Sequence, residues 1–227
     1  MDRRSFAALA ALAFAAPAVR ASAQQGLPAK NWDGLVKVDS KKLQAVYLLP
    51  GADFHKYSKV SLDPTEVAFR KDWMGDINAA AVGLDGRITN EDAQKILGQV
   101  RTGFNEIFVK AYTDAGYPVV TTPAKDVLRV RTAVANLYID CPDPDSIGDG
   151  RQYSVEAGQA TFVLEVRDSL TAALLGRAVD SETAGEYTGG IRSTVTNRAD
   201  FSALFKRWAS ASTKGLATLK DLSPIKA

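Results

Sequence analysis

The sequence predicts an α/β protein of the α+β type: a mixed, largely antiparallel sheet with two main helices packed on one face. Three observations carry this. Two β-branched runs, Val127–Ile139 and Ala160–Val166, are followed by a third, Leu174–Val179. The turn from Asp168 to Ala173 is short enough to make the second and third an antiparallel hairpin. Within the second run Ala160, Phe162, Leu164 and Val166 alternate with Thr161, Val163, Glu165 and Arg167, the period of a strand with one drier face.

Residues 1–23 read as a signal peptide of twin-arginine type rather than as fold. Arg3 and Arg4 precede Phe6 and an alanine-rich run, and Ala21 and Ala23 stand at the two small positions a signal peptidase reads. The apolar run is about ten residues, half of the ~20 needed to cross a bilayer. Cleavage after Ala23 and a periplasmic destination are expected, with no lipid anchor, because no cysteine lies near the cut. Residues 24–40 read as a flexible leader and 41–222 as a single α/β domain, a size within the usual ~50–250 residues.

In that domain Leu43–Leu49 alternates weakly and stops at Pro50 and Gly51, Tyr57–Leu62 is strand-like, and Asp63 and Pro64 end it. Val67, Phe69 and Trp73 make a further short apolar stretch. Thr89 opens the clearest helix, Asn90–Ala115, with Asp92 three residues on as in a capping box. Ile96, Val100, Phe104, Ile107, Phe108 and Ala111 give it one apolar face. Gly98 and Gly103 interrupt it at about 1 kcal/mol each against alanine, one of them explicable by close packing on the sheet. Val119–Thr122 reads as a short strand before Val127–Ile139.

In that long strand Leu128, Val130 and Val134 share one parity, and Leu137 and Ile139 take the other. Either a bulge near Ala135–Asn136 or burial of both faces accounts for the change. A final helix, Arg198–Leu219, repeats Phe201, Leu204, Phe205, Trp208 and Ala211 at helical spacing. Phe104, Phe108, Phe162, Leu164, Phe205 and Trp208 are the expected core.

The precursor has 28 Lys+Arg against 26 Asp+Glu. Removing Arg3, Arg4, Arg20 and Asp2 with the signal leaves 25 of each. A neutral, interspersed charge set lacks the clustered Lys/Arg of a nucleic-acid partner. Cys141, the lone cysteine, is expected to be buried at a strand end. The stretch Asp143–Ser154 has Ile147 and Ser154 where a calcium loop needs an oxygen ligand and a glutamate.

The order of short motifs resembles a known family. Asp33 to Leu35, Tyr47 to Gly51, Tyr57 to Val60, Asp63 and Pro64, Val67, Trp73, the Asp126–Asp140 strand, Ala160–Val166, Asp168 with Thr171, Asp180 and Trp208 line up in sequence. Together they resemble the bacterial envelope family known as domain of unknown function 3313, over about Asp33 to Leu219. The resemblance implies a small exported α/β protein, often a lipoprotein, and implies no activity. This chain departs from it in lacking a lipobox cysteine, and in having Ala172 and Ala173 where the family tends to show Gly-Glu.

For chemistry the sequence offers little. No G-x-S-x-G elbow, H-E-x-x-H, Walker loop or G-x-G-x-x-G is present, so neither a cofactor nor a metal is expected. His55, the sole histidine, with Asp53 two residues away, is a candidate general base. Glu165, Asp168 and Asp180 are candidates to cluster around the hairpin. Two functions follow. One is a non-enzymatic binding module, taking an envelope protein or a small apolar ligand on its sheet or in a groove beside the Asn90–Ala115 helix. The other is a small hydrolase or lyase using the Asp/Glu cluster with His55.

Overall fold

The computed structural model describes residues 31–81, 87–140, 152–154, 157–185, 190–192 and 194–226. Residues 1–30, where the signal was expected, Cys141 and most of the calcium-like stretch lie outside the described residues. The elements in chain order are β1 (Asn31–Trp32), β2 (Leu35–Val38), β3 (Ala45–Leu48), β4 (Lys59–Leu62), β5 (Glu66–Phe69), α1 (Trp73–Ala80) and α2 (Asn90–Asp114). They continue with β6 (Val127–Ile139), β7 (Gln152–Ser154), β8 (Gly158–Asp168), β9 (Leu174–Ala184), β10 (Gly190–Arg192) and α3 (Thr194–Leu222).

Among the described residues eight strands form one sheet in the order β1-β2-β3-β9-β8-β6-β4, with β5 beside β4 on the same edge of β6. All pairs are antiparallel except β4 and β5, which run parallel to β6. The break between those two edge strands falls at Asp63 and Pro64, since proline has no amide to give to a ladder. A separate pair, β7 and β10, is antiparallel. The hairpin β8–β9 is longer than its apolar runs, because Asp180 to Thr183 stay paired with Phe162 to Gln159 although they are polar.

The bulge accounts for β6. The register against β8 slips between Ala135 and Tyr138, and Asn136 takes a left-handed φ of 50°. One extra residue there returns Leu137 and Ile139 to the face of Leu128, Val130 and Val134, all of which are buried in the main core.

The helices α2 and α3 cover that face. Thr89 Oγ1 accepts from the Asp92 amide while the Asp92 carboxylate accepts from the Thr89 amide, the expected reciprocal cap. Phe104 stacks on Phe108 at 4.2 Å between ring centres and meets Phe205 edge-on at 5.1 Å. Phe162 stacks on Trp208 at 5.1 Å, so sheet and both helices meet through aromatic rings. All six expected core residues are buried.

Several expectations need correction. Residues 31–38 are not a loose leader: they form β1 and β2, and Trp32 packs edge-on against Tyr47 at 5.4 Å. The aromatic anchor outweighs the polar composition of that stretch. Val119–Thr122 is not a strand but a single bridge from Val119 to Val60. The short stretch at Trp73 opens α1, whose tryptophan stacks on Phe69 at 3.6 Å and donates to the Ile139 carbonyl. A Cβ added at Gly98 or Gly103 would meet nothing within 4 Å, so neither glycine serves close packing.

Candidate binding groove

The sequence candidates for catalysis are not brought together. His55 and Asp53 lie on an exposed loop, where the ring Nδ1 and the His55 amide both reach Asp53 Oδ1 at 2.9 Å. Those contacts, the amide first, hold the Asp53 carboxyl below its ordinary range. Neither residue lines any of the cavities described below.

Asp168 builds the hairpin turn. Its Oδ1 accepts from the amides of Leu170 and Thr171 and from the Thr171 hydroxyl, and its Oδ2 accepts from Tyr57 and Lys56 at 2.8 and 3.1 Å. Burial opposes its charge, yet these donors, Thr171 first among them, keep it well below the usual carboxylate range. The Tyr57 hydroxyl is pushed up to about 12 by burial and then by Asp168. Asp180 is raised, chiefly by burial; it accepts from Trp208 Nε1 at 2.8 Å and the Gln44 amide at 2.9 Å. It pairs with Phe162, six residues along β8 from Asp168, a separation of about 20 Å.

Glu165 points the other way, away from the helices. It shares its face with Arg177, its partner across the hairpin. Both side chains are almost wholly buried, at 2% and 3% exposure. Arg177 Nε and Nη2 donate to Glu165 Oε1 at 3.0 and 2.6 Å, while Arg167 donates twice to Oε2. Arg177 also binds Asp33 at 2.9 Å and lies 4.1 Å over the Trp32 ring. Burial pushes against ionisation of Glu165, but Arg177 and then Arg167 bring its carboxyl below the ordinary range. Next to it Asp63 takes Arg129 through both oxygens, and a hollow of about 280 Å³ lies among Asp63, Glu66, Arg131 and Glu165. There each acid answers a guanidinium, which makes the cluster a brace between strands. Among the described residues no group of three or more His, Cys, Asp or Glu is placed to hold a metal ion.

A second, larger space has a different character. A groove of about 520 Å³ opens between the C-terminal half of α3 and the helix-side face of β3, β9 and β8. Its floor is Val46, Leu48, Ala178, Leu164 and Val166, and its wall on α3 is Ala211, Gly215, Leu216, Leu219 and Leu222. Val38 and Leu43 close one side and Ile225 the other. Small residues line it on both sides: Gly176 and Ala178 on the sheet, Ala211 and Gly215 on the helix. Gly176 is needed in its own place, since a Cβ there would press on Leu48 and Val166. Leu222 is 60% exposed at the rim, an apolar side chain left without cover. The volume falls within the ~300–1,000 Å³ common for small-ligand sites.

Of the two places the sequence offers for binding, the sheet and a groove beside the Asn90–Ala115 helix, this space lies on the sheet; that helix supplies only Tyr112 at the back, whose hydroxyl bonds Ser212 at 2.6 Å. Apart from Tyr112, the residues that make the groove are drawn from residues 38–48, 164–178 and 211–226, so no local pattern signals it. The nearest sequence signal is the interruption of the apolar face of α3 at Gly215.

The family described as "Protein of unknown function (DUF3313)" matches residues 23–212. No curated protein matches the sequence. Among solved structures, a protein of Xanthomonas campestris from family DUF330 is 11% identical with a TM-score of 0.40, covering 77% of this chain and 90% of its own. The PelC dodecamer from Paraburkholderia phytofirmans is 14% identical with a TM-score of 0.37, covering 74% and 94%. A minor lipoprotein from Acinetobacter baumannii is 9% identical with a TM-score of 0.35, covering 71% and 94%. At such scores these likenesses carry no argument about what the chain does.

Proposed function

The chain belongs to the DUF3313 family, and from that premise we propose that it is an exported, envelope-associated binding module that acts in the periplasm without catalysis and takes an apolar ligand. The observation that carries the reading is the apolar groove between α3 and the sheet, lined mainly by aliphatic side chains and open beside Gly215. The dispersal of His55, Glu165, Asp168 and Asp180 supports binding over the acid–base alternative. Export is supported by Arg3, Arg4 and Phe6 ahead of an alanine-rich run, with removal after Ala23. Among the described residues no helix is long and apolar enough to cross a membrane.

The groove is tested with an uncharged apolar fluorophore, N-phenyl-naphthylamine, and the double variant Ala211→Phe with Gly215→Leu. The full chain should enhance its emission, and the variant should bind at least tenfold more weakly while melting normally. Equal binding by both proteins refutes the groove. For export, Arg3→Lys with Arg4→Lys should keep the protein in the cytoplasm. Undiminished periplasmic accumulation would refute the twin-arginine route, and a mature terminus other than Gln24 the cleavage site.

A further inference from the structure

We propose that Ile225 is the end stop of the groove and sets the length of the apolar ligand that the groove accepts. The inference rests on the reading of the groove as a ligand site and adds what limits the ligand.

The floor has a direction. Val46, Ala178 and Leu164 are cross-strand neighbours on β3, β9 and β8. Leu48, Gly176 and Val166 form the next row, two residues on and so about 7 Å away. Before the first row the β2–β3 connection brings Ser40, Lys41 and Lys42 to the lining, all of them exposed. Beyond the second row the backbone turns at Pro50, and there Ile225 docks. The Gly51 amide donates to the Ile225 carbonyl at 2.8 Å, and the Ile225 amide donates to the Ala52 carbonyl at 2.9 Å. The groove therefore runs from exposed polar residues at 40–42 toward Ile225.

Ile225 is held there by more than its own backbone. Ser223 Oγ donates to the Leu219 carbonyl at 2.7 Å and accepts from the Phe54 amide at 2.8 Å. The turn out of α3 is thus tied both to the helix and to the loop after β3. In the stretch 221–226 Ile225 alone is buried, at 7% exposure, while Pro224 and Lys226 on either side are exposed. Its side chain belongs to the main core and also lines the groove, so one side of it is the surface a ligand meets. A branched aliphatic side chain fixed in this way stops a ligand by contact, because a close-packed interior yields little to an atom pressed against it. Trimming it leaves room, since the surroundings collapse only partly into the space.

The test displaces N-phenyl-naphthylamine from the full chain with primary alcohols from butanol to tetradecanol. The longest of them exceeds the helix wall, which runs about 16 Å from Ala211 to Leu222. Each added methylene should tighten binding about fourfold until the alkyl chain reaches Ile225, and longer alcohols should gain nothing. Ile225→Ala should move that limit to longer alcohols, and Ile225→Phe to shorter ones. Ile225→Val, a methylene smaller, should move it the same way as Ile225→Ala and serves if the alanine variant does not fold. A clasp that never touches the ligand would lower Tm in these variants and leave the limit where it was. A limit common to all of them, a rise unchecked to tetradecanol, or a bound probe that no alcohol displaces overturns the stop and leaves the groove standing. A protein that binds neither the probe nor any alcohol overturns both readings.

Discussion

Replacing Arg177 by methionine keeps its apolar stem and deletes its guanidinium. Glu165 Oε1 then loses both donors, at 2.6 and 3.0 Å, and Asp33 and Trp32 lose their partner. Removing one member of a buried ion pair costs about 3–5 kcal/mol, because the other charge stays out of water. Glu165 retains Arg167 on its second oxygen, so we place the loss at the lower end, about 3 kcal/mol. Arg167→Met removes donors at nearly the same distances, 2.9 and 3.1 Å. Its side chain is 22% exposed, however, and water can take its place, so about 1 kcal/mol is expected. Urea unfolding at neutral pH measures both, provided that the slope against denaturant is unchanged. For a domain of this size 3 kcal/mol corresponds to roughly 6–12 °C in Tm. Adding Glu165→Gln to Arg177→Met removes the stranded charge and should recover about 1 kcal/mol or more. The reasoning fails if Arg167→Met costs as much as Arg177→Met, or if the glutamine recovers nothing.

Phe104→Ala should cost about 3–5 kcal/mol in a thermal melt, as the loss of a fully buried ring touching Phe108, Phe162 and Phe205. His55→Ala, on its exposed loop, should stay within about 0.5 kcal/mol, and a larger change would mean that the loop is part of a site. Gly98→Ala should stabilise by up to about 1 kcal/mol, because the added methyl meets open space within a helix. Gly158→Ala should do the opposite by more than about 3 kcal/mol, since its Cβ falls on the Tyr138 carbonyl at a φ of 143°; a normal melt would contradict that geometry. In acid the contribution of Asp168 should fade. Its folded pKa is depressed, so the stabilisation is complete above the unfolded value of about 3.9 and is lost as pH falls from there toward the folded value. Urea midpoints between pH 7 and pH 2 should fall less steeply for Asp168→Asn, and identical slopes would count against the assignment.

What the sequence makes legible is whatever is local. The alternation of Phe162 and Leu164 with Val163 and Glu165 sets the hairpin register, and Thr89 with Asp92 marks the start of α2 to the residue. The change of parity after Val134 marks the bulge, although only the φ of Asn136 and the slipped register against β8 decide between a bulge and double burial. Glu165 and Arg177 are misleading by the same logic. Alternation assigns them to a wet face, and their burial depends on Trp32 and Asp33 folding back over them from a stretch of polar composition. The groove is illegible for another reason: it is a space, lined by β9 and α3 and floored by β3 more than 100 positions earlier, and a sequence records side chains rather than the gaps between them.

The place of β3 in the sheet has a consequence for how the chain is made. Tyr47 lies opposite Arg177, 130 positions later, and every backbone bond of β3 to its inner neighbour waits for β9. At the ~5–20 residues per second of synthesis, that is a delay of about 6–26 s, far longer than the microseconds of hairpin closure. During it β1, β2 and β3 form only a small ribbon, and Trp32 and Tyr47 have no sheet to rest on. The β8–β9 hairpin and its neighbour β6 emerge together and can assemble as they appear. The nascent chain therefore presents its first third as an unfinished edge, and its last third supplies the template on which that edge closes.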